Sequence, residues 1–153
     1  MALSTENRAL LHAELVIQIR RFIAGTILFN QKAADRAGLH LTDMQCINLL
    51  ELLGGSTTPG KLAEGTGLTT GGVTVMLDRL EKAGFIRRER NPNDRRSVLV
   101  RVNPRRLQKV NVLYAGVNRQ VEALLRETPE AELRAVAAFF LRMNTVRREQ
   151  VPG

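Results

Sequence analysis

The stretch Leu62–Val102, LAEGTGLTTGGVTVMLDRLEKAGFIRRERNPNDRRSVLVRV, decides the fold. Just before it, Thr58-Pro59 places a capping hydroxyl ahead of a first-turn proline, which predicts a short helix through Leu62 and Ala63 ending near Gly67. Thr69 or Thr70 caps a second helix carrying Val73, Met76, Leu77 and Leu80, with its stop at Gly84. The period then changes from helical to alternating. Phe85–Arg90 and Ser97–Val102 read as strands, and Asn91-Pro92-Asn93-Asp94 between them is turn chemistry, so the pair is a predicted hairpin. Ala63, Gly67 and Val73 stand where a helix-turn-helix needs a small contact, a permissive turn and an apolar lock. Leu62, Leu68 and Met76 complete that small core.

Helices are predicted on both sides. From Thr5 to Ala37, stopped by Gly38, apolar residues recur at helical spacing through Leu11, Leu15, Ile19, Phe22, Ile23 and Ile27. Thr42 with Gln45 forms a capping-box pattern that opens a helix through Ile47, Leu49 and Leu50 to the Gly54-Gly55 stop. After the hairpin, Asn103-Pro104 starts a helix with Leu107, Val110, Tyr114, Val117, Val121 and Leu124 at heptad spacing, the pattern of a helix lying along a partner. Thr128-Pro129 starts the last helix, striped with Leu133, Val136, Ala137, Phe140 and Leu141. The expected class is mainly α (α+β), in the order α-α-α-α-β-β-α-α. A chain of 153 residues with 44% apolar content suits one domain spanning 1–153.

A formal net charge of +8 points to a polyanionic partner. The hairpin concentrates it: Arg87, Arg88, Arg90, Arg95, Arg96 and Arg101 face only Glu89 and Asp94. Beside it, the second helix of the pair presents Thr69, Thr70, Gly71, Gly72, Thr74 and Val75 outward. Small hydroxyls bond phosphates or base edges, and glycines let a backbone approach a duplex. A basic hairpin next to such a helix suits the sugar-phosphate backbone, with a tip arginine entering a narrow minor groove.

On these residues the chain resembles the MarR (multiple antibiotic resistance regulator) family of winged helix-turn-helix regulators. The match rests on the DRLE-x-x-G helix end at Asp78, Arg79, Leu80, Glu81 and Gly84, and on the D-x-R wing signature at Asp94 and Arg96. The resemblance covers nearly the whole chain. It implies a DNA-binding core at 42–103 and dimerisation helices at 5–38 and 104–149. It further implies that Arg96 is the wing-tip arginine, that Asp94 orients it, that Arg95 is a neighbouring phosphate contact, and that Arg79 supports or contacts the DNA backbone. Val75 departs from the pattern, since many members carry a basic or polar residue there; it either touches a thymine methyl or packs.

The expected partners are double-stranded DNA and a second copy of the chain, and the resemblance adds a small aromatic or phenolic effector; no cofactor is expected. The expected function is a ligand-responsive repressor that binds a pseudo-palindromic operator as a homodimer. The alternative is a winged-helix protein-interaction module that has lost DNA binding. The chain is not expected to be an enzyme, because it carries no P-loop, G-x-G-x-x-G, G-x-S-x-G or H-E-x-x-H motif. His40, Asp43 and Cys46 are spaced three apart, but Asp43 suits a first helical turn and no metal site is expected. Cys46 reads as a small buried residue rather than a redox sensor, and His12 as a surface or satisfied-core histidine. Met1 to Leu10 lack an apolar run of signal-peptide length, and no stretch approaches the ~18 apolar residues of a membrane span. With one cysteine, a cytoplasmic location is expected.

Overall fold

Local capping chemistry sets most of the helix boundaries. A computed structural model describes residues 4–92 and 94–150. Helix α1 (Thr5–Ala37) opens where Ser4 Oγ accepts the Asn7 N–H at 3.3 Å and closes on Gly38. Helix α2 (Leu41–Leu52) is followed by β1 (Ser56–Thr57), α3 (Pro59–Thr66) and α4 (Thr70–Lys82). Strands β2 (Ile86–Asn91) and β3 (Asp94–Val102) then lead into α5 (Pro104–Glu127) and α6 (Glu130–Gln150). Thr58 and Thr69 cap α3 and α4 as expected, and Asn103 caps α5 by accepting the Arg105 N–H at 3.1 Å.

The start of α2 differs from the expected Thr42 cap. The helix begins at Leu41, with Thr42 already inside it, and the His40 N–H donates to Asp43 Oδ2 at 3.3 Å. Asp43 performs this role because a distant arginine holds its carboxylate, a partner the local pattern does not contain.

The sheet has three antiparallel strands in the order β1-β3-β2. Strand β1, with Ser56 opposite Arg101 and Thr57 opposite Val100, was not foreseen, since two residues are too short to show alternation. Strands β2 and β3 pair from Ile86 opposite Val102 to Asn91 opposite Asp94, so the ladder runs further toward the tip than predicted.

The core lies among α2, α3, α4, the sheet and the first half of α5, where Met44, Ile47, Leu50, Leu62, Met76, Leu77, Leu80, Val100 and Val110 are buried. Helix α3 packs closely on α2 at Gly65, where any Cβ would overlap the Leu49 side chain. Only the end of α1 joins this core, through Phe29, Ala33, Ala34 and Ala37. The heptad seam of α5 divides. Its first half packs within the chain, with Tyr114 edge-on to Phe29 at 5.1 Å and its hydroxyl donating to Asn30 Oδ1 at 2.8 Å; Val117, Val121 and Leu124 are exposed. Leu11, Leu15, Phe22 and Ile23 of α1 and Phe140 and Leu141 of α6 are exposed as well.

Candidate nucleic-acid interface

Helices α3 and α4 form the helix-turn-helix, joined at Gly67, whose φ of +70° is a conformation that side-chain-bearing residues rarely adopt. Val73, Met76, Leu77 and Leu80 seat α4 on the core, so its orientation is fixed by packing along one whole face. The opposite face presents Thr69, Thr70, Gly71, Thr74 and Val75, with Val75 56% exposed. Two positions refine the sequence reading. Gly71 opens to solvent, whereas Gly72 is half-buried, its N–H donating to Thr69 Oγ1 at 3.2 Å and a Cβ there meeting Leu68 and Thr69 at ordinary contact distance. The Thr74 hydroxyl donates to Thr70 O at 3.0 Å, leaving its oxygen lone pairs outward as acceptors.

The wing's arginines are not equivalent. Arg87 and Arg101 both pair with Glu89. Arg88, expected among the DNA contacts, is turned onto α4: its guanidinium Nη1 donates to Asp78 Oδ1 at 2.7 Å and to Glu81 Oε2 at 3.2 Å, and Nη2 donates to Thr74 O at 3.4 Å. Its backbone N–H donates to Glu81 Oε1 at 2.9 Å. Among the described residues, Arg90 and Arg96 are the wing arginines left exposed without a carboxylate partner. The Arg96 N–H donates to Asp94 Oδ1 at 3.0 Å, so Asp94 shapes the backbone that carries Arg96. The Arg95 side chain lies outside the described residues.

Arg79 is gripped from the core side. Its Nη2 donates to Asp43 Oδ1 at 2.6 Å and its Nε to Oδ2 at 3.3 Å, joining α4 to the first turn of α2. Asp43 is 2% exposed and Arg79 38%, so the carboxylate is internal and the far edge of the guanidinium reaches solvent. The Asp43 hydrogen bond raises the Arg79 pKa further above its ordinary range, with burial opposing. The sequence reading missed Asp43 as Arg79's partner and Asp78 and Glu81 as Arg88's, because residues 43 and 79 lie 36 positions apart and the other pairings depend on how strand and helix dock.

Asp43 is therefore committed to an arginine rather than to a metal. Cys46, one turn on, is fully buried, and burial, reinforced by the Asp43 charge, pushes its thiol from 9.0 up to about 12. A thiol so held stays protonated at neutral pH, which fits the packing role read from sequence better than a sensor. No helix among the described residues is long and apolar enough to cross a membrane.

Comparison with known proteins agrees with this geometry. The MarR family model matches residues 40–98, from the end of the α1–α2 connection to the middle of β3. The chain is 35% identical over 150 residues to the uncharacterized HTH-type transcriptional regulator YcgE of Bacillus subtilis (strain 168), covering 97% of each chain. Among solved structures it is similar in fold to the MarR family transcription regulator SP03579, with a TM-score of 0.68 at 19% identity over 95% of both chains. It is likewise similar to NadR in complex with 4-hydroxyphenylacetate, with a TM-score of 0.59 at 17% identity over 94% of both chains. The chain belongs to the MarR family of DNA-binding transcriptional regulators.

Proposed function

We propose that this regulator is a cytoplasmic homodimeric repressor that binds a pseudo-palindromic operator and releases it on taking up a small aromatic or phenolic ligand. The observation that carries the DNA reading is the pairing of two surfaces. A recognition helix offers a small, uncharged face at Thr69, Thr70, Gly71, Thr74 and Val75, and beside it a wing holds Arg90 and Arg96 clear of any carboxylate. The helix enters a major groove, with Val75 against a thymine methyl; Arg96, oriented by Asp94, enters the adjoining minor groove, with Arg95 and Arg90 on phosphates. Arg79 meets the backbone with the guanidinium edge that Asp43 leaves uncovered, and Gly72 serves through the first turn of α4, where its N–H donates to the capping Thr69.

The dimer reading rests on apolar side chains that one copy leaves in water, Phe22 at 66% and Leu141 at 72% exposed among them. Faces of that size on separate helices are what a partner copy covers. The core at 42–103 then reads DNA while 5–38 and 104–149 join the copies. The ligand reading draws support from NadR, whose structure holds 4-hydroxyphenylacetate.

The test is selection of duplexes from a random pool by the purified protein, followed by titration across salt concentrations with and without 4-hydroxyphenylacetate. A two-fold-symmetric site, a steep fall of affinity with salt and release by the phenol are expected. Salt-independent behaviour with no duplex retained would favour a protein-interaction module and overturn the reading.

A further inference from the structure

The Arg88 cluster raises a question that DNA contact does not answer. Asp78 lies on the DNA-facing side of α4, between Thr74 and Glu81 at spacings of four and three, so the three residues form one stripe along the helix. Carboxylates on a surface that meets phosphates oppose binding by simple charge. Here both are turned to a single side chain from the wing: Arg88 of β2 lies along the stripe and reaches Asp78 Oδ1, Glu81 Oε2 and the Thr74 carbonyl together. Glu81 also takes the Arg88 backbone N–H at 2.9 Å, so it holds both the side chain and the main chain of the strand.

The rigid-body consequence is specific. Strand β2 is tied to β3 along its whole length, and β3 carries Asp94 and Arg96 at the tip. Whatever fixes β2 against α4 fixes the wing tip relative to the recognition helix. A duplex presents its major and minor grooves at a set offset, so two reading elements must hold a matching offset before binding. Loose elements would instead lose that freedom on complex formation.

We propose that Glu81, acting through Arg88 with Asp78 in support, is a positioning residue for DNA binding: it locks the wing to the recognition helix so that both engage adjoining grooves at once. The inference rests on the DNA-binding reading above. Arg88 on this account touches no DNA in the complex, and its charge neutralises the acids of α4 instead of a phosphate.

The experiment uses the full-length protein and a duplex that the wild type selects from a random pool, with Glu81→Ala, Arg88→Ala and the double variant. Major-groove protection from guanine methylation reports the helix, and hydroxyl-radical protection across the minor groove reports the wing. Glu81→Ala raises the formal charge of +8 by one, so charge alone predicts tighter binding. The positioning role predicts the reverse: affinity falls about tenfold, wing protection fades while helix protection persists at saturation, and the double variant is no weaker than either single one. Unchanged or tighter binding with both footprints intact overturns the proposal, as does additive loss in the double variant. Should Glu81→Ala not fold, Arg88→Lys keeps the charge but gives one ammonium that cannot span the three acceptors. The same split footprint is then expected, and a wild-type footprint overturns the proposal. A wild type that selects no duplex refutes DNA binding itself, whereas intact footprints in the variants refute only the lock.

Discussion

Asp43 and Arg79 form an unequal pair, and the inequality predicts how each half responds to removal. The carboxylate is internal, so Arg79→Ala strands a buried charge; breaking such a pair costs about 3 kcal/mol, the low end of the usual range because water reaches the arginine side. Asp43→Asn keeps one acceptor oxygen, for Arg79 Nε and the His40 N–H, but sets an amide NH2 against Arg79 Nη2; because the freed cation is already partly solvated, it costs less, about 2 kcal/mol. Urea unfolding of the two variants checks the order, and a larger loss in Asp43→Asn would contradict it. Cys46 gives a second test. Its thiol titrates near 9.0 when unfolded and about 12 when folded, so the neutral thiol is favoured in the fold. That contribution is whole below pH 9.0 and is lost as pH rises from there toward about 12, because the unfolded chain ionises first. The melting temperature of wild type relative to Cys46→Ala should therefore fall between pH 9 and pH 10. An aromatic disulfide reagent at neutral pH should label the thiol only after denaturant is added.

At the scale of elements, what was legible in sequence divides by the range of the interaction that decides it. Ser, Thr and Asn caps, prolines in the first turn and terminal glycines act within four residues; α1, α3, α4 and α5 begin where such caps stand, and α1, α3 and α4 end at or just before a glycine. The α2 start was misread because its Asp43 is fixed by Arg79, 36 residues away, and β1 escaped because its two residues are defined by the strand they pair with. The wing shows the same division for the site. Its excess of arginine is plain in the sequence, yet which arginines remain available depends on Glu89 within the hairpin and on Asp78 and Glu81 across to α4. This sorting predicts different outcomes for neighbouring substitutions. Arg96→Ala removes one contact per protomer, so a dimer should show a salt dependence shallower by about 2 in the slope of log affinity against log salt, with the melting temperature unchanged. Arg87→Ala, whose charge already faces Glu89, should leave that slope where it was. On α4, Gly71→Phe should block duplex approach without unfolding the helix, because a Cβ there points into open space with nothing within 4 Å. Gel shifts across salt concentrations, read beside thermal melts, separate these outcomes.

At the scale of the whole molecule, one copy does not account for its own surface. Helix α1 is 33 residues long, about 50 Å, yet only its end beyond Phe29 packs on the core. Ahead of that point Leu11, Leu15, Phe22 and Ile23 stand in water, as do Val117, Val121 and Leu124 past the point where α5 leaves α1. On the proposed dimer these faces meet those of a second copy, which would also place two recognition helices on one duplex. The two effects can be separated by charge. Replacing Phe22 and Leu15 together with Glu puts two carboxylates into the covered face, whose desolvation a second copy cannot offset. The expected product sediments as a monomer with the 42–103 core folded, since neither side chain contributes to that core. Each monomer still carries a complete half-site surface, so binding to a single half-site should persist at its weak intrinsic affinity. Binding to the full palindrome should fall by a factor of about 10²–10⁴, the avidity that physical linkage of two sites supplies. A variant that remains dimeric, or a monomer that holds the palindrome as tightly as wild type, would show that these helices do not join the copies that read DNA.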